Sequence, residues 1–230
     1  MRKLYYILTI AVLFTACTAT KPVKKSVAYK GLYTEKPLTV LLMPPINKST
    51  NVEAKEYFHS TLMVPLAEQG YYIIPPFLSM EILRKESAYD SELFLTSPLN
   101  KFGEVFGADA VLFTIINKWD KSSIGANVKV YVEYILKSTK TNEVLYNRKG
   151  EIVYDASVRT NSGGLAGLAV GMIASAINTA SVKYVDVARI SNKVTFTDFP
   201  AGAYSIRNKV DSLDFAGPKE FKATVNSSYR

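Results

Sequence analysis

Apolar positions in this chain fall into four continuous runs, at 4–16, 38–43, 71–74 and 111–116, and one strictly alternating stretch after residue 127. The run Leu38-Thr39-Val40-Leu41-Leu42-Met43 stops at Pro44 and Pro45. A short apolar run between turn signals predicts a strand covered on both faces. A polar loop follows at 47–51, and Thr50 with Glu53 offers a capping box for the next helix. That helix extends to about Gln69, with Phe58, Leu62 and Leu66 on one face, and Gly70 ends it. Tyr71-Tyr72-Ile73-Ile74 reads as a second strand, closed by Pro75 and Pro76. Residues 79–86 predict a short helix, and Ser97-Pro98 starts another that ends at Gly107. The run at 111–116 is the expected central strand.

The pattern then changes period. Val128, Val130, Val132 and Tyr134 alternate with Lys129, Tyr131, Glu133 and Ile135, which predicts a half-exposed strand. A turn at 139–142 returns the chain along 143–154, so the pair forms an antiparallel hairpin. Its outer face is expected to carry Tyr131, Tyr146 and Tyr154 among charges. A helix follows from Tyr184 to about Val194, Pro200-Ala201-Gly202 interrupts it, and the remainder reads as a polar arm. The element order predicts an α/β fold with a mixed sheet of about five strands packed by helices, parallel early and antiparallel late. The expected domain is 37–200, followed by a C-terminal arm at 201–230.

The first apolar run changes the picture of where the protein works. Arg2 and Lys3 precede it and Ala16 closes it, the organisation of a secretory signal at 1–16. It is shorter than the roughly 20 residues a spanning helix needs. Cys17, the single cysteine, comes next, and Phe14-Thr15-Ala16-Cys17 resembles the lipobox of bacterial lipoproteins. The resemblance implies cleavage before Cys17 and acylation of that residue, which would anchor the chain to a membrane; more than one acyl chain makes such anchoring stable. The plainer alternative is an ordinary cleaved signal beside a chance cysteine. Residues 17–36 are polar and basic without a hydrophobic period, and read as a tether.

The formal charge of +8 suggests nucleic acid until the charges are located. Arg2, Lys3, Lys21, Lys24, Lys25 and Lys30 all precede Glu35, leaving 22 basic residues against 20 acidic ones beyond them. No basic stripe remains to follow a phosphate backbone, so no nucleic-acid partner is expected. The tether lysines either lie against anionic head groups or keep the tether in solution.

Between Arg159 and Lys183 there is no charge, and Gly163, Gly167, Gly171, Ser175 and Thr179 recur every fourth residue. On a helix they form one ridge of small side chains, a feature that lets helix backbones approach closely. Three readings stand together: a helix tucked against the sheet, an assembly helix for self-association or a partner, and a membrane-inserted helix.

Candidate chemistry is sparse. His59 is the only histidine, with no nucleophile motif beside it, and reads as a surface or boundary residue. No pattern of metal-ligand spacing occurs, and no cofactor is expected. Neither Asp109 nor Asp120, which flank the central strand, has a partner by spacing. The nearest approach to a site is the loop carrying Asn47, Ser49 and Asn51 at the carboxyl end of the first strand, where α/β sheets bind ligands. The same residues also suit a plain loop and helix cap.

Several segments together resemble a bacterial lipoprotein family typified by a Neisseria vaccine-candidate lipoprotein. They are Val40-Leu41-Leu42-Met43-Pro44-Pro45-Ile46-Asn47-Lys48-Ser49, Pro65-Leu66-Ala67-Glu68-Gln69-Gly70-Tyr71-Tyr72, Phe106-Gly107-Ala108-Asp109-Ala110-Val111-Leu112 and Gly163-Gly164-Leu165-Ala166-Gly167. Ala203-Tyr204 and Gly217-Pro218 extend the likeness to about residue 220. The resemblance implies a fold similar to the N-terminal domain of the Tol translocation protein. It also implies a non-enzymatic outer-membrane lipoprotein that faces the periplasm and binds envelope proteins. Because genes for such proteins often neighbour one for a curli-pore-like lipoprotein, an accessory role in envelope secretion is the first expectation. Activation of peptidoglycan synthases is the alternative.

Overall fold

The computed structural model describes residues 22–122, 126–157 and 180–226, together with Met172, Ser175 and Asn178. Two short helices come first, α1 (Lys25–Ala28) and α2 (Lys30–Glu35). Then follow β1 (Thr39–Leu42), β2 (Ile46–Asn47), α3 (Ala54–Glu68), β3 (Tyr72–Ile73), α4 (Pro76–Lys85) and α5 (Asn100–Phe106). The second half contains β4 (Ala110–Ser122), β5 (Asn127–Ser138), β6 (Val144–Asp155), α6 (Tyr184–Phe196) and β7 (Glu220–Asn226).

The strands form one mixed sheet in the order β3-β1-β4-β5-β6-β7, with β2 also on β4. β1 pairs in parallel with β3 and β4, while β4, β5 and β6 run antiparallel to one another. The α/β class and the switch from parallel to antiparallel pairing are as the sequence predicts. Among the described residues seven strands replace the expected five, because β2 is only two residues long and β7 lies in the segment read as an arm.

The continuous apolar runs at 38–43 and 111–116 are explained by two cores. Val40 and Leu42 of β1, with Ala110, Leu112 and Ile116 of β4, face a large core under α2, α3 and α6. Leu41, Met43, Val111 and Phe113 face a smaller core closed by Leu83 of α4 and Phe102 of α5. A strand covered on both faces has no polar side to show. β5 extends past the smaller core, so Val128, Val130 and Val132 point inward while the alternate residues face solvent. A register shift between Ile116 and Lys118 returns Trp119 to the core side.

Two expected boundaries move. The 17–36 tether does not run to residue 36: α1 and α2 pack on the domain, with Tyr29 and Leu32 buried. Lys25 reaches Asp198 at 3.3 Å. Two apolar side chains on one-turn helices are too few to register as a period. The expected C-terminal arm is also part of the fold over residues 201–226. Asp211 accepts bonds from the Tyr33 hydroxyl and the Ala201 amide at 2.8 and 2.7 Å, and β7 joins β6 in parallel. A parallel partner reached by a long crossover leaves no local sequence signal.

The tyrosines of the hairpin differ from expectation as well. Tyr146 and Tyr154 are buried in the main core rather than exposed, and only Tyr131 lies on the outer face. A register shift in β6, where Leu136 opposes Tyr146 but Lys137 opposes Val144, changes the phase of the strand. The Thr50–Glu53 capping box does not form: Glu53 occupies the cap position with no side-chain cap bond, and its amide bonds Asn51 Oδ1 at 3.0 Å.

Asp109 is the knot between the sheet and its connections. Its carboxylate accepts the Leu38 and Thr39 amides at 3.0 and 3.2 Å and takes Lys140 at 2.9 Å. Burial opposes ionisation there, but Lys140 and the two amides outweigh it and hold the carboxyl below its ordinary range. Another tight junction is Gly202, where a Cβ would lie 2.3 Å from the Gly70 carbonyl oxygen. The Gly202 amide donates to Gln69 O at 2.8 Å, locking this loop against the α3–β3 turn.

Candidate functional site

The loop after β2 closes on itself. Asn47 Nδ2 donates to Asn51 O at 2.7 Å, and Asn47 Oδ1 accepts the Ser49 amide and hydroxyl at 3.0 and 2.7 Å. The Asn51 amide in turn reaches Ser49 Oγ at 3.3 Å. The three polar side chains proposed for a ligand are thus engaged in shaping the turn, and Asn51 hands the chain to α3. This is the side-chain competition with backbone that makes Asn and Ser turn formers.

His59 is not a surface residue. It sits in α3 at 6 % exposure, and neither ring nitrogen has a hydrogen-bond partner among the described residues. Burial lowers its pKa below the ordinary 6.5; the nearby Met43 backbone favours the proton but makes no hydrogen bond of ordinary geometry. A base needs a nucleophile or a proton donor in reach, and among the described residues none is hydrogen-bonded to His59. The sign of its pH effect follows directly. The unfolded chain takes up a proton near pH 6.5 that the folded chain resists, so the contribution of neutral His59 is complete above that pH and is lost on acidification. His59→Leu is expected to flatten the fall in urea midpoint between about pH 7.5 and 5. An unchanged slope would assign that fall to other groups.

A groove lies between α3 and α6. The two helices are clamped by a buried amide: Asn192 Nδ2 donates to Phe58 O at 3.2 Å and Thr61 Oγ1 at 2.8 Å, while its oxygen accepts the Tyr134 hydroxyl. Beside this clamp is a groove of about 650 Å³, lined by Ser60, Val64, Pro65 and Glu68 of α3 and by Asp186, Arg189, Ile190 and Lys193 of α6. Pro65 and Ile190 are buried, whereas Val64 is 61 % exposed and opens the groove to solvent. Arg189 is paired with Asp186 along one rim. The groove therefore offers an apolar floor between charges of both signs. No local sequence signal points to it, because the groove exists only where two helices distant in the chain are placed side by side.

The other expected site residues divide between described and undescribed parts of the chain. Cys17, Gly163, Gly167 and Gly171 lie outside the described residues. Ser175 is helical and buried, and Met172 and Asn178 are helical with exposed side chains. Asn178 Nδ2 donates to the Ala156 carbonyl at 2.7 Å. Among the described residues, no group of His, Cys, Asp and Glu is placed to hold a metal ion, and no helix is long and apolar enough to cross a membrane.

Comparison with known proteins places the chain. Residues 27–202 match the family described as "Putative lipoprotein GNA1162-like". The chain is 23 % identical over 163 residues to "Putative lipoprotein NMB1124/NMB1162" of Neisseria meningitidis serogroup B (strain ATCC BAA-335 / MC58), covering 70 % of this chain and 75 % of that one. Among solved structures it is similar to lipoprotein GNA1162 from Neisseria meningitidis, at 20 % identity and a TM-score of 0.47 over 63 % of this chain and 99 % of that one. It is also similar to the LpoB C-terminal domain from Salmonella enterica, at 14 % identity and a TM-score of 0.39 over 56 % and 94 % of the two chains. The PelC dodecamer from Paraburkholderia phytofirmans gives 15 % identity and 0.37 over 63 % and 89 %. With the match spanning both helices of the groove and most of the sheet, this chain belongs to the GNA1162-like lipoprotein family.

Proposed function

We propose that this protein is a lipid-anchored, non-enzymatic component of the cell envelope that binds other envelope proteins through the groove between α3 and α6. That groove carries the reading. It has an apolar floor, a mixed-charge rim and an exposed Val64, so it suits a side chain or helix of a protein better than an enclosed small molecule. The anchor is Cys17, and the site of action is the periplasmic face of the outer membrane. The partner is a curli-pore-like lipoprotein of a secretion complex.

The alternative, activation of peptidoglycan synthases, needs a tether able to reach into the wall. Val23 already accepts the Ala216 amide through its carbonyl, and Pro22 stands five residues after Cys17. That span reaches at most about 18 Å, which favours a partner at the anchoring membrane.

A photocrosslinking residue at Val64, in cells carrying either Cys17 or Cys17→Ala, tests this. Recovery of a curli-pore-like lipoprotein, lost with Cys17→Ala, is the expected result. Recovery of peptidoglycan synthases would replace the secretion reading by its alternative. Recovery of no envelope protein from Val64 would remove the groove as the binding surface.

A further inference from the structure

The segments that lie nearest the N-terminal end of the described fold expose an unusual amount of apolar side chain. The chain enters beside its own C-terminal part: Lys24 bridges Phe215, the Lys25 amide donates to Asp214 O, and the Ala216 amide donates to Val23 O. The next turn inward on that side is the 3-10 helix Val210–Leu213. Residues three apart eclipse in such a helix, so Val210 and Leu213 share one face. Both are 67 % exposed, as is Val27 of α1, and Phe215 is 59 % exposed. Ile206, in the loop just before, is 99 % exposed.

This outward placement is held rather than incidental. Asp211, between the two apolar residues, is buried and bonded to the Tyr33 hydroxyl and the Ala201 amide. The turn therefore cannot roll to hide Val210 and Leu213 without breaking both bonds. Exposed apolar residues on neighbouring segments mark an interaction surface.

Charge says what kind. On residues 22–30 and 204–215 the only acids are Asp211, which is buried, and Asp214, which Arg207 pairs at 2.5 Å. Lys24, Lys30 and Lys209 are exposed and make no ion pair among the described residues. An apolar surface rimmed by unpaired lysines matches a bilayer with anionic head groups.

Chain length agrees. From Cys17 to Pro22 the chain spans at most about 18 Å, close to the radius of gyration of about 17 Å expected for a domain of this size. A body on so short a leash must turn its entry side to the membrane.

We propose that Val27, Ile206, Val210, Leu213 and Phe215, rimmed by Lys24, Lys30 and Lys209, form a lipid-facing surface that seats the domain on the bilayer holding Cys17. The inference rests on the reading of Cys17 as the acylated residue. Seating fixes the orientation of the body.

The test uses the full chain, produced with its leader and reconstituted in vesicles of phosphatidylethanolamine and phosphatidylglycerol. Because acylation consumes the only native cysteine, Val210→Cys, Leu213→Cys and, on the open sheet face, Lys129→Cys can each carry one spin label. Labels at 210 and 213 are expected to collide with lipid-dissolved oxygen in preference to an aqueous nickel complex. Their oxygen-to-nickel ratio should be at least about threefold that at 129, as for side chains sunk into the head-group boundary. Equal ratios at all three positions would overturn the surface. Labels at 210 and 213 shielded from both reagents would mean protein covers them, a second copy or a partner, and would also overturn it. The N-terminal peptide mass separates the two readings: absence of acyl groups on Cys17 removes the anchor and the surface together, whereas acylated protein with water-exposed labels removes the surface alone.

Discussion

Phe196→Ala is expected to destabilise the protein by about 3–5 kcal/mol, the range for deleting a fully buried aromatic ring. Phe196 is completely inaccessible at the end of α6 and stands at the centre of the aromatic core. Its ring centroid is 4.8 Å from that of Tyr134, 5.4 Å from Phe199 and 6.4 Å from Tyr146. Loss of the ring forfeits its transfer energy, its edge-on contacts with Tyr134 and Phe199 and its stacking on Tyr146, which contribute about 0.5–1.5 kcal/mol per pair. It also leaves a cavity that cannot easily close. Tyr134 is held to Asn192, and Tyr71, whose ring meets Phe199, donates to Pro200 O at 3.1 Å. Urea unfolding measures the loss, and Phe196→Leu should restore most of it. A cost near 1 kcal/mol would mean that the neighbouring rings collapse into the space.

Arg148→Ala is expected to cost about 3 kcal/mol and to loosen β7 selectively. Arg148 points from β6 into the core side and is almost fully buried. Its Nη1 donates to Thr195 O at 2.7 Å and its Nε to Pro218 O at 3.3 Å, and the guanidinium lies 4.3 Å from the centre of the Phe221 ring. The contact with Asp198 is long, 3.9 Å, and that carboxylate also holds Lys25 at 3.3 Å and the Gly217 amide at 2.6 Å. Removing Arg148 therefore does not strand Asp198. The cost comes from two carbonyls losing charged donors and from Phe221 losing its cover. These partners join the end of α6 to the start of β7, so amide exchange should rise at 220–226 more than in β5. Arg148→Met keeps the stem against Phe221 and should lie between the two. Uniform exchange along the sheet would count against a local role.

Much of the architecture was legible because long elements impose their period on the sequence. The run at 38–43, the alternation after 127 and the Phe58–Leu62–Leu66 stripe each place a strand or helix where the structure has one. Misplaced residues share a physical cause. Tyr146 and Tyr154 were assigned to the wrong face because one irregularity near Val144 inverts a strand of period two. His59 looks polar in isolation, and its burial comes from its position on α3 facing the protein interior. Of the candidate sites, the Asn47 loop was legible as a turn but not as a turn whose side chains are already paired. The α3–α6 groove was not legible at all, since Val64 and Arg189 are 125 positions apart in the chain.

Local chemistry along the chain is enough to establish the apolar run at 4–16, the lone Cys17, the α/β class and the near-neutral charge of the body, because each depends on composition or on a short period. Folding settles the rest through contacts between distant segments. It draws residues 24–35 out of the expected tether and onto Asp198 and Asp211, makes the C-terminal stretch a strand on β6, and turns Val210 and Leu213 outward by burying the aspartate between them. Those contacts cross most of the length of the chain, and no window of neighbouring residues contains them.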